Sequence, residues 1–210
     1  MTEWLAAGGQ GEKTEQELDR WEAHDYLVNT GLSQYITADN FALRFAVKEL
    51  AKDNSAPTEG SKARLQRLGR FLVGAPRAAN EFFWQGRARA LRGRSDSDHG
   101  GDRKTRKSTM SVVVFLGRHR IYDGAWTEAV VALSSGEAEF YALVKLVVTL
   151  IWIKNMLIFR GVEPDEVVAE SDSSAARGMA SRLGLGRKAK HIDVQMLYIC
   201  LLYTSDAADE

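Results

Sequence analysis

Apolar residues recur along the second half of the chain with two different periods. Leu143, Leu146, Leu150, Ile153 and Leu157 follow one another at steps of three and four, which is one face of a helix. Ser134 followed by Glu137 reads as a capping box, and Gly161 is a natural stop, so one long helix is expected from Ser134 to Arg160. Ahead of it, Ser111 to Leu116 holds Val112, Val113, Val114 and Phe115 and is the clearest strand. Gly117 to His119 turns it, and Arg120 to Trp126 returns as a hairpin partner. Leu91 to Asp98 is a weaker strand, diluted by Gly93 and two arginines. After the helix, Glu166 to Ala169 is a short buried strand, and Ser173 or Ser174 caps a helix over Ala175 to Arg182. Three strands, a helix, a strand and a helix imply an α/β fold: a mixed sheet covered by helices.

The first third reads differently. Residues 1–20 are rich in Gly, Glu and Gln without periodicity and are expected to form a disordered tail. A short helix is expected over Trp21–Tyr35, then an amphipathic one over Asn40–Ala51 with Phe41, Leu43, Phe45, Ala46 and Leu50 apolar. Thr58 is the N-cap of a third, whose face is Leu65, Leu68, Leu72 and Val73, and which ends at Gly74-Ala75-Pro76. Residues 21–76 thus form a small helical module. Residues 77–90 are a basic connector holding Phe82, Phe83 and Trp84, and residues 91–199 are the α/β domain.

Composition narrows the class. The chain has 210 residues and is 45% hydrophobic, enough for a full α/β domain with an appendage. The longest apolar run in the main helix, Leu146–Ile153, is flanked by Lys145 and Lys154 and falls short of a bilayer span, so no membrane partner is expected. The start has no basic residue and no long apolar stretch, which argues against a signal peptide and for an intracellular protein. The one cysteine, Cys200, excludes a disulfide framework and a cysteine zinc site. It lies in CLLYTSDAADE, residues 200–210, which looks like a translated sequencing adapter and is set aside from the fold.

The net charge of zero hides an asymmetry. Residues 1–60 carry 5 Lys/Arg against 11 Asp/Glu, whereas residues 61–120 carry 15 against 4. A basic middle segment suits a phosphate backbone as partner, and equally a solvated surface.

Three acids then stand at similar addresses. Asp96 lies near the end of the first strand, with Asp98 two residues on. Glu139 lies at the start of the long helix, four residues before Leu143 and so on its apolar face. Asp172 follows the later strand. An ionised carboxylate on a core-facing stripe costs several kcal/mol unless something cationic meets it. A glutamate in a first helical turn is also accounted for by the macrodipole, so that stretch alone leaves both readings open. As a set, carboxylates at neighbouring strand ends with a helix crossing above them form a pocket suited to Mg²⁺, which takes oxygen ligands and substrate phosphates.

The phrases SDSDHGGDRKTRKSTMSVVVFLG, VALSSGEAEFYALV, ESDSSAARGMASR and RKAKHIDVQ, in this order, resemble the carboxyl-terminal region of copia-type retrotransposon polyproteins. Upstream, FAVKELAKDNSAPTEGSKARLQRLGRFLVGAPR resembles the end of the reverse transcriptase. The resemblance covers roughly residues 25–199. It implies a ribonuclease H-like fold, here cut before its last strand and helix, behind the helical tail of a reverse transcriptase. It implies hydrolysis of RNA in an RNA–DNA hybrid by two-metal catalysis, with Mg²⁺ (or Mn²⁺) held by Asp96, Glu139 and Asp172. The family's fourth acid comes after one further strand, beyond Ile199, and Asp193 is not assigned to it. Implied partners are the hybrid and the rest of the reverse transcriptase polyprotein, in the cytoplasm or a retroelement particle.

Arg103, Lys104, Arg106 and Lys107 are the candidates for backbone contacts. His99 stands where the family usually has tryptophan, and Met110 interrupts a run of small residues. His191 reads as structural, and Gly184–Lys190 lacks the flanking strand and spacing of a phosphate loop. The alternative is a non-catalytic remnant that binds nucleic acid or tethers the polymerase.

Overall fold

The computed structural model describes residues 16–102 and 105–181. The expectations for the first fifteen residues, Arg103, Lys104, Arg182, the Gly184–Lys190 loop, His191, Asp193 and the 200–210 tail lie outside the described residues. The chain divides into two compact units between Glu81 and Phe82.

The first unit is helical. Helix α1 spans Arg20–Ile36, and its N-cap Asp19 accepts the backbone N–H groups of Trp21 and Glu22 at 2.8 and 2.9 Å. Helix α2 spans Arg44–Ala51 and α3 spans Glu59–Gly74. Thr58 caps α3 as expected, in a reciprocal capping box with Ser61. The core holds Tyr26, Leu43, Val47, Leu50 and Leu68. Tyr26 donates its hydroxyl to the Leu50 carbonyl at 2.7 Å, and burial, then the Asp53 charge, pushes its pKa up to about 12.

Two apolar expectations fail here. The stretch from Asn40 is not one helix: a 3₁₀ turn at Phe41–Leu43 precedes α2. The tighter turn shifts the phase, so Leu43, Val47 and Leu50 face inward while Phe41 and Phe45 stay exposed. Val73, in the last turn of α3, is also exposed rather than part of the packed face.

The second unit is α/β. Strand β1 spans Ala90–Ser97, β2 Thr109–Leu116 and β3 His119–Thr127. Helix α4 spans Ser135–Phe159, β4 Glu166–Glu170 and α5 Ser174–Ala180. The sheet order is β3-β2-β1-β4, with β1 antiparallel to β2 and parallel to β4. This open mixed sheet flanked by helices is compatible with a ribonuclease H-like fold.

Helix α4 starts where expected. The Ser134 hydroxyl accepts the Glu137 N–H at 3.2 Å, but Glu137 reaches back to the N–H of Leu133 at 3.0 Å, one residue beyond the cap. The helix lies on the sheet through Leu146 and Leu150. Gly93, which weakened the sequence case for β1, is the reason they fit. A Cβ there would sit 2.4 Å from Leu146 Cδ1 and 3.2 Å from Leu150 Cδ2.

Thr149 is polar yet buried, its hydroxyl donating to the Lys145 carbonyl at 2.8 Å. Helix α4 is also long and apolar enough to cross a membrane by length and composition, although its longest uninterrupted run is short. Its buried Leu146, Leu150 and Ile153 account for that composition as a sheet-covering face.

Gly117 turns β2 into β3 with φ +61°, and an added Cβ would meet Gln85 Oε1 at 2.5 Å. Gly117→Ala is therefore expected to destabilise the fold by about 1–3 kcal/mol. A thermal melt unchanged by the substitution would contradict that reading of the turn.

Candidate active site

Parallel pairing of β1 and β4 brings their carboxyl ends to the same end of the sheet. Asp96 is the penultimate residue of β1. Asp172 follows β4 by two residues and immediately precedes Ser173, whose hydroxyl caps α5 by accepting the Ala176 N–H at 3.1 Å. The first turns of α4 cross at this end, because Ser97 on β1 donates its backbone N–H to Glu139 Oε1 at 3.4 Å.

Glu139 is buried, 8% exposed, on the stripe it shares with Leu143, which decides between the two readings its stretch left open. Its Oε2 has no hydrogen-bond partner among the described residues. Its pKa is raised, chiefly by burial. The Ser97 N–H opposes the rise, and the charges of Asp96 and Asp172 add to it. Both aspartates are exposed, and both act on the one buried carboxylate.

The alternation of β1 puts Leu91, Gly93, Ser95 and Ser97 on the buried side and Arg92, Arg94 and Asp96 on the exposed one. Arg94 is taken by Glu170 across the parallel pair at 2.7 Å. Among the described residues, no three His, Cys, Asp or Glu side chains are gathered closely enough to form a metal-ligand group. The donor chemistry nevertheless fits a hard cation: all the groups are carboxylates, and one oxygen is buried and unsatisfied.

Asp98 has a different role. Its Oδ1 accepts the Thr109 N–H at 2.6 Å, and its N–H bonds the Thr109 carbonyl at 3.0 Å, so it pins the β1–β2 connection. That connection leaves from the acid end of β1 and carries the basic candidates. Arg106 is exposed with φ +57°, its N–H on the Asp102 carbonyl, and Lys107 is half-buried.

Sequence reading missed Glu128. It follows β3, is 2% exposed, and shares a 3.0 Å hydrogen bond with the Ser97 hydroxyl. Its backbone N–H bonds the Ser108 carbonyl at 2.8 Å. The only signal was an acid just ahead of the apolar residues Ala129, Val130 and Val131, a pattern that also suits a surface loop.

No protein-family model matches the chain. It is 27% and 28% identical to the retrovirus-related Pol polyproteins from transposons RE1 and RE2 of Arabidopsis thaliana, over 176 residues in each case. Those matches take in 83% of this chain and 12% of each relative, so the chain spans about an eighth of their length. The retrovirus-related Pol polyprotein from transposon TNT 1-94 of Nicotiana tabacum is 31% identical over 109 residues, 52% of this chain and 8% of that protein. Over most of its length, then, the chain is a homologue of retrovirus-related Pol polyproteins from plant transposons, consistent with the copia-type resemblance of its motifs.

Proposed function

We propose that this chain is a retroelement ribonuclease H domain that hydrolyses the RNA strand of an RNA–DNA hybrid with Mg²⁺, or Mn²⁺ in its place. The observation that supports this best is Glu139. It is a buried carboxylate with one oxygen unsatisfied, and two further carboxylates act on it. Such a group holds its proton or meets a cation, because an unpaired buried charge costs several kcal/mol, and among these acids a divalent ion would be that cation.

In this reading Asp96, Glu139 and Asp172 hold the metal. When bound, divalent ions supply Lewis-acid polarisation of the phosphodiester and a water of lowered pKa. The Ser97 N–H fixes one oxygen of Glu139 and so orients the other. Arg106 and Lys107, on the loop leaving the same strand end, would neutralise backbone phosphates of the hybrid, with Arg103 and Lys104 in the same segment. The rest of the Pol polyprotein is the natural partner, in the cytoplasm or a retroelement particle.

The test is cleavage of an end-labelled hybrid by the full chain. Cleavage is expected with Mg²⁺, and loss to background in Glu139→Gln and Asp96→Asn variants that melt like the parent. One observation favours a second reading: the acids are not gathered into a closed ligand group. A non-catalytic nucleic-acid-binding remnant would bind the hybrid with strong salt dependence and leave it uncut at every metal concentration.

A further inference from the structure

Three consecutive aromatic residues open the second unit, and all face water: Phe82, Phe83 and Trp84 are 64%, 68% and 93% exposed. Isolated exposed aromatics are ordinary, but three in a row form a patch. They are also held in place. Gln85 Nε2 donates to the Leu116 carbonyl at 3.1 Å and meets His119 Nδ1 at 2.9 Å, while its Oε1 accepts the Arg118 N–H at 2.9 Å. His119 Nε2 lies 2.6 Å from the Phe83 carbonyl, and the His119 ring meets Phe82 edge-on at 5.3 Å. One neutral tautomer, with the proton on Nε2, satisfies both ring nitrogens. The β2–β3 turn therefore clamps the backbone of this segment while leaving its rings outside.

We infer that Phe82, Phe83 and Trp84, with Arg118, form a stacking platform for the unpaired bases of a single-stranded nucleic acid. Charge favours nucleic acid over a protein partner. Residues 77–94 hold five arginines and one acid, Glu81. Arg87 and Arg89 share the single Asp165 carboxylate at 3.8 and 3.6 Å, and Arg92 and Arg94 are paired with Glu166 and Glu170. Arg118, exposed at the turn, is in no ion pair among the described residues. Aromatic faces accept any base, cations track the phosphates, and a clamped backbone avoids the ordering cost that a mobile segment would meet on binding.

The platform sits at the opposite end of the sheet from the acids. Leu91 faces Leu116 at the turn and Asp96 faces Ser111, five residues along β1, which is about 17 Å. The inference goes beyond hydrolysis and needs no metal.

The test is fluorescence anisotropy of a short labelled oligouridine with the full chain, at low salt and with a chelator, so that cleavage plays no part. The parent is expected to bind. The Phe83→Ala/Trp84→Ala double variant should bind roughly tenfold or more weakly, and Trp84→Phe within about threefold of the parent. Because these rings are exposed, all three proteins should melt alike. No binding by the parent, or equal binding by the double variant, overturns the platform. So does sedimentation showing that the parent dimerises and the double variant does not, since the rings would then be covered by a second copy. The chelator keeps divalent ions from the acids, so a failure of the nuclease reading leaves this result standing.

Discussion

Glu128→Gln is expected to stabilise the second unit above neutral pH by about 3 kcal/mol and to change nothing below about pH 4.5. Burial is the main cause. It pushes the Glu128 carboxyl up to about 7 from 4.5; the nearby Ser97 and Ser108 hydroxyls pull the other way, and the Asp98 and Glu137 charges add to the rise. One carboxylate oxygen, Oε2, has no hydrogen-bond partner among the described residues. Below the unfolded value, both states carry the proton and Glu128 costs nothing. As pH rises through the interval, the unfolded chain releases its proton while the folded one keeps it, so stability falls. Above about pH 7 the folded carboxyl ionises too, and the loss is complete. Glutamine has no charge to bury and keeps a partner for the Ser97 hydroxyl. Denaturant melts of both proteins across this range give the answer. Parallel pH profiles would mean that Glu128 is ionised at no cost.

Leu146→Ala is expected to cost about 2–5 kcal/mol, the range for emptying a well-packed leucine site. Leu146 is fully buried at the middle of α4, and its Cδ1 occupies the space above Gly93 that a side chain would fill. The two positions are therefore coupled. Gly93→Ala alone must displace Leu146, whose Cδ1 would lie 2.4 Å from the new Cβ. In the Leu146→Ala background that clash disappears, and Leu150 Cδ2 at 3.2 Å becomes the nearest neighbour. The double variant is thus expected to be more stable than the sum of the single losses implies, a non-additivity of contact neighbours. Additive losses would contradict the close approach of α4 to β1.

The parts of the fold legible in the sequence are those fixed by local rules. Ser134 and Thr58 cap their helices because a hydroxyl ahead of a helix satisfies an orphan N–H whatever the tertiary context. The helical phase with Leu143 put Glu139 on the apolar face, but its burial there was settled only by the packing of the helix on the sheet. What depends on contacts between distant segments was not legible. Gly93 weakens a strand by propensity, yet β1 needs it beneath Leu146. Thr149 is polar, yet a bond to its own helix lets it go inside. Phe41 and Phe45 sit on an apolar face only if the helix begins at Asn40, and the 3₁₀ turn removes that phase. Asp98 and Glu128 carry no local mark of their roles, because Thr109 and Ser97 meet them only once the strands have paired.

The proposed hydrolysis requires Asp96, Glu139 and Asp172 to share a divalent cation. Calorimetric titration of the full chain with Mn²⁺, beside Glu139→Gln, asks this without depending on turnover. Saturable binding by the parent and its loss in the variant, both proteins melting cooperatively before titration, is the expected result. Equal heats from the two proteins, or no saturable heat from the parent, would contradict it.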